Sequence, residues 1–212
     1  MSGAVVLDAR GVHRAFPGAA GPVHVLRGVD LQVRAGEVVT LGGPSGSGKS
    51  ALLAVLCGFD APDAGSVTLL GRPVGTPAWT DCAVLPQALG LAGELTLVEN
   101  AALPLRLSGR AGGADARARE LLDRLGVGAL ADRYPGEVSY GQQQRAALAR
   151  AVAVRPRLLV ADEPTAHLDA AATALVVALL RDTAAGSAAV LVATHDEAVH
   201  AGASRCERLG PL

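Results

Sequence analysis

The chain has 212 residues, of which 50% are hydrophobic, and its formal net charge at pH 7 is −1. A chain of this length can bury a sizeable core, either as one large domain or as two small lobes. Because 20 acidic residues balance 19 basic ones, the sequence lacks the basic footprint of a nucleic-acid-binding protein, and we expect no nucleic-acid partner.

Membrane-spanning and secretory segments are not expected. Apolar runs are interrupted by charge or glycine well short of the roughly 18 to 20 residues that cross a bilayer. Met1–Ala4 leads directly into a strand-like Val5–Leu7, so no signal peptide is expected. The three cysteines, Cys57, Cys82 and Cys206, are odd in number and far apart, which favours buried or neutral thiols in a cytoplasmic protein.

The first part of the chain has the pattern of β-structure. Val5–Leu7, Val23–Leu31 and Val67–Leu70 alternate or cluster β-branched residues. Turn dipeptides at Pro17-Gly18 and Gly21-Pro22 separate the first two runs. This pattern predicts a small antiparallel lobe.

A phosphate-binding loop follows a short buried strand predicted at Val38–Leu41. Residues 43–50 read Gly-Pro-Ser-Gly-Ser-Gly-Lys-Ser and fit the pattern G-x-x-x-x-G-K-[ST]. Its glycines let the backbone N–H groups face an anion, Lys49 reaches the terminal phosphates, and the Ser50 hydroxyl can bind Mg²⁺. Ala51–Leu56 is predicted to form a helix whose positive N-terminal end faces the phosphate. The sequence therefore predicts a site for ATP and Mg²⁺.

Lys49 is the only lysine in the chain, since arginine supplies the other 18 basic residues. A compact ammonium on a flexible stem suits a phosphate cradle better than a planar guanidinium. The alternative, a glycine-serine turn that happens to contain a lysine, is disfavoured because strand, loop and helix occur in the required order.

The middle of the chain has helical spacing. Leu103–Leu130 combines leucine, alanine and arginine at helical intervals, with a glycine-rich hinge at Gly109–Gly113. Further along, Ser139 precedes the helical run Ala146–Ala151 and is predicted to cap it. Because a helix N-terminus attracts anions, Ser139 marks a second candidate anion site.

The last third has the order strand, helix, strand. Leu158–Ala161 and Ala189–Ala193 are continuous apolar runs, and Ala170–Arg181 between them has a helical pattern. This order is typical of a parallel sheet that is buried on both faces.

Two polar positions directly follow these strands. Asp162 and Glu163 end the first one, where parallel sheets bind ligands. Asp162 is expected to hold Mg²⁺, and Glu163 to polarise the water that attacks the γ-phosphate. His195 follows the second strand and can hydrogen-bond the γ-phosphate or orient the water as a neutral imidazole. A solvated acidic turn and a structural histidine are the alternative interpretations.

The segment 138–145, Val-Ser-Tyr-Gly-Gln-Gln-Gln-Arg, separates P-loop families from one another. With the phosphate-binding loop it resembles the ATP-binding-cassette (ABC) ATPases, whose signature L-S-G-G-Q falls at this point. The resemblance covers essentially the whole chain. It implies an α/β fold: a P-loop NTPase (RecA-like) core with a parallel sheet, a small N-terminal antiparallel β lobe and an inserted helical subdomain.

The resemblance also implies one ABC ATPase domain over residues 1–212. The helical subdomain with the signature is expected at about residues 88–153. The β lobe and the RecA-like core are expected at about residues 1–87 and 154–212.

Site residues follow from the resemblance, motif by motif. Phe16 matches the aromatic residue that stacks on adenine, although ordinary core packing is an alternative. Gln87 matches the Q-loop, Asp169 the D-loop and His195 the switch histidine. The implied nucleotide-binding residues are Phe16, Gly43, Pro44, Ser45, Gly46, Ser47, Gly48, Lys49, Ser50, Ala51, Gln87, Ser139, Gly141, Gln142 and Asp169. The implied metal ligands are Ser50, Gln87 and Asp162, and the implied catalytic residues are Lys49, Glu163 and His195.

The sequence departs from the family pattern in four places. Tyr140 replaces the first glycine of the signature, and a bulky residue does not readily take a positive φ. Gly141 keeps the close backbone approach, so we expect catalysis to survive. Val138 replaces leucine and Ala51 replaces the common threonine, both tolerable changes. The segment 71–83 is shorter than in the family's other members and lacks the usual basic pair before the Q-loop.

Partners are implied by the family. Two subunits pack head to tail, so that each signature closes over the ATP held by the other subunit, which is a second copy or a homologous ATPase. Val23–Val29, Leu95–Asn100 and Leu103–Leu105 look most like the branch of lipoprotein-releasing and macrolide-exporting ATPases. In that branch, residues after the Q-loop receive a short helix from an integral-membrane permease subunit. The chain is then expected on the inner face of the plasma membrane, powering transport through ATP-driven dimerisation and hydrolysis-driven opening.

Three other functions remain open. A cell-division-type ABC ATPase regulates cell-wall hydrolases through a membrane partner without transport. A soluble ABC protein of DNA repair or ribosome binding carries a coiled-coil or zinc insertion, or two cassettes, which this chain lacks. A silent nucleotide-binding regulator is disfavoured because Lys49, Asp162, Glu163 and His195 are all present.

Overall fold

The structure is a computed structural model that describes residues 3–19, 21–44 and 46–210. Ser45, which the sequence assigns to the phosphate-binding loop, lies outside the described residues. None of the helices in the described ranges is both long enough and apolar enough to span a bilayer.

The N-terminal half forms an antiparallel sheet with the strand order β2-β1-β4-β5. Its strands are β1 (Val5–Phe16), β2 (Val23–Arg34), β4 (Ala64–Leu69) and β5 (Arg72–Pro73). Leu7, Val12 and Val33 point into the core, each with 0% exposure. The predicted antiparallel lobe is confirmed.

A second sheet is parallel throughout, with the order β6-β7-β8-β3-β9. Its strands are β3 (Val38–Gly42), β6 (Cys82–Leu85), β7 (Leu158–Asp162), β8 (Ala189–Ala193) and β9 (Arg205–Arg208). Every residue of β3 and β8 is buried. Because the strands are parallel, β3, β7 and β8 end at the same edge of the sheet, at Gly42, Asp162 and Ala193.

Three helices connect these parallel strands. They are α1 (Lys49–Leu56), α5 (Ala170–Ala185) and α6 (Glu197–Gly202). Helix α1 begins at Lys49, two residues before its predicted start, and α5 extends four residues beyond its predicted end. The predicted strand-helix-strand unit is confirmed by β7, α5 and β8.

The segment between β6 and β7 is helical. It contains α2 (Leu97–Leu107), α3 (Ala114–Arg124), two short 3₁₀ turns (Gly128–Leu130 and Pro135–Glu137) and α4 (Tyr140–Ala153). The glycine-rich hinge separates α2 from α3, as predicted. Helix α2 begins six residues before the predicted start because Thr96 and Glu99 cap it reciprocally.

The parallel sheet lies between two apolar clusters. One face packs against α2 to α5 through residues such as Leu85, Leu159 and Val190. The other face packs against α1 and the antiparallel sheet through residues such as Leu41 and Val160. The helical segment therefore shares a core with the sheet, and the division at residues 88 and 153 stays a prediction.

Candidate nucleotide-binding site

The loop between β3 and α1 is held in a conformation that requires glycine. Gly43, Gly46 and Gly48 have φ angles of 148°, 80° and 89°, a region that side chains rarely adopt. A Cβ on Gly43 would lie 2.7 Å from the Ser47 Oγ atom, and one on Gly48 would lie 2.7 Å from Cγ1 of Val25. Backbone geometry and packing both explain glycine at these two positions.

Lys49 folds back over this loop. Its Nζ atom donates to the carbonyl oxygens of Gly43, at 2.8 Å, and of Pro44, at 3.0 Å. The ammonium group is therefore held at the mouth of the loop by two carbonyl groups. Ser47 is buried, and its hydroxyl group has no hydrogen-bond partner within the described part of the chain.

Ser50 and Asp162 meet although 112 residues separate them. The Ser50 hydroxyl donates to the Asp162 carboxylate at 2.9 Å. Burial raises the pKa of Asp162 most strongly, and the charge of Glu163 raises it further, while the Ser50 hydrogen bond and the positive charge of Lys49 lower it. A carboxylate in this environment is stabilised by an added cation.

Glu163 is fixed by contacts from three sides. Its carboxylate lies 2.9 Å from Nδ1 of His195 and accepts a hydrogen bond from the Thr194 hydroxyl at 3.2 Å. Its backbone carbonyl accepts from the Gln144 amide at 2.6 Å. The backbone φ of Glu163 is 50°, an uncommon conformation that concentrates at functional sites.

His195 is the exposed member of the pair. Its side chain is 79% exposed, against 19% for Glu163. The hydrogen bond to the Glu163 carboxylate is the main reason that the pKa of His195 lies above its ordinary value of 6.5. The carboxylate stabilises the protonated imidazole, so the state of this pair changes with pH.

These side chains surround one open cleft of about 850 Å³ at the carboxyl edge of the parallel sheet. It is lined by Gly43, Gly46, Gly48, Lys49, Ser50, Ala51, Gln87, Asp162, Glu163, Ala166, His167 and His195. The structure thus brings together most of the implied binding, metal and catalytic residues. Their individual roles stay predictions.

Four of the implied residues lie at the N-terminal ends of α4 and α5. Ser139 and Gln142 cap α4 reciprocally through Ser139 Oγ and Gln142 Oε1, and Asp169 caps α5. Ser139, Gly141 and Asp169 line a separate depression with Leu168. Within one chain, Ser139 and Gly141 of the signature therefore lie outside the cleft that contains the phosphate-binding loop.

Phe16 ends β1 opposite Val23 of β2. One face of its ring carries Arg14, whose guanidinium carbon lies 4.9 Å from the ring centroid. Val25, two residues after Val23, packs against the loop at Gly48. This places the hairpin beside the loop, and adenine stacking on Phe16 stays a prediction.

The expected conflict at Tyr140 does not occur. Tyr140 is the first residue of α4, so its backbone is helical and no positive φ is required. The close approach expected at Gly141 is present, because a Cβ there would lie 3.0 Å from Cδ2 of Leu168 and 3.2 Å from the carbonyl oxygen of His167.

Sequence reasoning missed four supporting residues. Thr194 and Gln144 are buried and hold Glu163, but their contacts span 31 and 19 residues and have no local pattern. His167 lines the cleft with φ 63°, and His200 is half-buried with Nδ1 2.9 Å from the Thr40 hydroxyl.

Comparison with known sequences identifies related proteins. The model of the family described as ABC transporter matches residues 26–166. The chain is 44% identical over 209 residues to the lipoprotein-releasing system ATP-binding protein LolD 2 of Caulobacter vibrioides, covering 90% of this chain and 88% of that protein. It is 42% identical over 220 residues to LolD of Cereibacter sphaeroides, covering 99% and 97%.

A solved structure has the same architecture. A dimeric ATP-binding cassette in a post-hydrolysis state, bound to ADP and Pi, matches with a TM-score of 0.88 and 29% identity over 96% of this chain and 94% of that one. The predicted P-loop NTPase fold and the resemblance to the lipoprotein-releasing branch are confirmed. The chain belongs to the ABC transporter family and is an ATPase of the ATP-binding-cassette type.

Proposed function

We propose that this chain is the nucleotide-binding subunit that powers a membrane ABC transporter. Two subunits bind ATP between them, and hydrolysis opens the pair again. The observation that carries the proposal is the cleft in which Lys49, the Ser50–Asp162 pair and the Glu163–His195 pair face one another.

The chemistry of the cleft suits Mg-ATP. Positive-φ glycines and the ammonium group of Lys49 form a cradle for phosphates. Magnesium is bound through few carboxylates and the substrate's own phosphates, so one hydroxyl and one carboxylate are sufficient protein ligands. Ser50, Asp162 and Gln87 would hold the ion, which neutralises phosphate charge when bound.

The protein's own contribution to hydrolysis is positioning and proton acceptance. Lys49 and the loop amides hold the γ-phosphate, while Thr194 and Gln144 fix Glu163 so that its carboxylate can orient and polarise the attacking water. In the structure that carboxylate is bonded to His195. A shift of the His195 hydrogen bond from Glu163 to the γ-phosphate would leave Glu163 free to accept the proton of the attacking water.

A second subunit would complete the site. Ser139, Gly141 and Asp169 lie in the depression outside the chain's own cleft. In a head-to-tail pair, the positive N-terminus of the partner's α4 would face the bound γ-phosphate. The relative solved with ADP and Pi is itself described as dimeric, which supports this arrangement.

The membrane partner is proposed from the relatives. Two of them are named as ATP-binding proteins of lipoprotein-releasing systems. We expect this chain to bind an integral-membrane permease and to lie on the inner face of the plasma membrane through it. The permease would determine the cargo.

Glu163→Gln tests the catalytic proposal. The amide keeps the size and one acceptor oxygen but cannot accept the proton, so hydrolysis should fall by about 100-fold or more while ATP-dependent dimers accumulate. Dimerisation is measured by light scattering with ATP and with ADP. Glu94→Gln, at an exposed position, is the matched control. Wild-type turnover in Glu163→Gln would refute the assigned role.

A further inference from the structure

Tyr140 connects the signature segment to the Q-loop of the same chain. Its hydroxyl donates to the backbone carbonyl of Gln87 at 2.9 Å, across 53 residues of sequence. Its ring meets the ring of His167 edge to face, with centroids 5.5 Å apart and an interplanar angle of 88°. These two contacts hold the N-terminal end of α4 against two other segments.

The partners of Tyr140 belong to the nucleotide cleft. Gln87 and His167 both line it together with Lys49 and Glu163. Tyr140 itself lines the neighbouring depression with Ser139 and Gly141. His167 lines both spaces, and its ring contacts the ring of Tyr140.

A second contact from α4 reaches the same cleft. Gln144, one helical turn after Tyr140, is 3% exposed and donates to the carbonyl of Glu163. Tyr140 and Gln144 thus attach one helix end to the Q-loop and to the proposed catalytic residue. A displacement of this helix end would strain both attachments, because close-packed interiors transmit strain.

We propose that Tyr140 is a positioning residue that couples the two nucleotide sites of the dimer. The inference rests on the proposed head-to-tail arrangement, in which Ser139 and Gly141 contact the partner's nucleotide. ATP bound at the partner's site displaces the N-terminal end of α4, and the Tyr140 hydroxyl transmits that displacement to Gln87 in the chain's own cleft. A glycine, which the family signature has at this position, cannot form this bond.

The size of the effect follows from the bond. The strength of one neutral hydrogen bond limits the coupling that it can transmit, so its loss should change the coupling constant by about 2- to 10-fold at most. Because the bond holds the Gln87 backbone and does not contact the nucleotide, the intrinsic affinity of a single cleft should not change.

The test compares Tyr140→Phe with wild type and with Tyr134→Phe, the only other tyrosine of the chain. Tyr140→Phe removes the hydroxyl and keeps the ring against His167. Initial hydrolysis rates of the full chain are measured over a range of ATP concentrations, together with the dissociation constant for ADP.

We expect wild type and Tyr134→Phe to hydrolyse ATP cooperatively with the same Hill coefficient. The Hill coefficient of Tyr140→Phe should be lower than that of wild type, with ADP affinity within about 2-fold of wild type because no nucleotide contact is lost. Tyr140→Gly, which matches the family signature, should give the same loss and decides the question if the phenylalanine variant does not fold.

Two results would overturn the inference: an equal Hill coefficient in wild type and Tyr140→Phe, or an equal loss in Tyr134→Phe. Neither result affects the proposed function, because ATP is still hydrolysed. Absence of hydrolysis by wild type itself would refute the proposed function, and the coupling with it.

Discussion

A matched pair of glycine substitutions tests how the phosphate-binding loop is packed. Gly46 and Gly48 have similar backbone angles, with φ 80° and 89°. A Cβ on Gly46 would meet no atom of the described residues within 4 Å, whereas one on Gly48 would lie 2.7 Å from Cγ1 and 3.0 Å from the carbonyl oxygen of Val25. The two alanine variants therefore share the conformational penalty and differ in steric overlap.

The expected magnitudes follow from these distances. Alanine at a left-handed position costs about 1–2 kcal/mol, so Gly46→Ala should lose about that much stability. Gly48→Ala adds overpacking against the β2 backbone, which costs about 1–3 kcal/mol more. The backbone oxygen of Val25 belongs to a paired strand and cannot move aside as a flexible side chain would.

The assay is urea unfolding of the nucleotide-free protein, comparing midpoints at constant slope. Nucleotide is omitted because ligand binding would add its own stabilisation. A Gly48→Ala variant that is no less stable than Gly46→Ala would show that the antiparallel sheet does not press against the loop.

Three further predictions concern Glu163, His195 and the signature. Glu163 raises the pKa of His195 above 6.5, and protonation of the imidazole keeps the pair together. We therefore expect kcat to rise as the pH increases through that raised pKa. A pH–rate profile of His195→Gln should lack this rise. Thr194→Val removes a hydrogen bond to Glu163 and leaves the Asp196 N–H without its acceptor. The free energy of unfolding should therefore fall by about 1–3 kcal/mol, and kcat should fall with little change in KM. An effect on KM alone would contradict this role of Thr194. Tyr140→Gly should fold and hydrolyse ATP at a rate no higher than wild type, and a many-fold faster rate would mean that the natural signature is impaired.

Much of the nucleotide cleft could be predicted because its determinants are local. The phosphate-binding loop lies within eight consecutive residues, and Asp162 and Glu163 directly follow a continuous apolar run. A parallel sheet then places the ends of β3, β7 and β8 at one edge, so residues far apart in sequence meet without any specific signal of their own.

Other features depend on tertiary contacts that sequence spacing does not contain. The bond from Tyr140 to Gln87 spans 53 residues, and a tyrosine in place of glycine indicated only a possible backbone conflict. Strand β9 was missed because its residues alternate between half-exposed and exposed, without an apolar face. Helix α2 carries Pro104 in its interior, which obscured its extent, although Thr96 and Glu99 form a recognisable capping box.

Recovery of the tagged chain from mildly solubilised native membranes, with and without ATP, tests the central claim most directly. We expect a multi-span permease with an extracytoplasmic domain to be recovered with the chain. Recovery of cell-wall hydrolases with that partner would instead support a regulatory role without transport. Absence of any membrane protein under both conditions would contradict the assignment of this ATPase to a transporter.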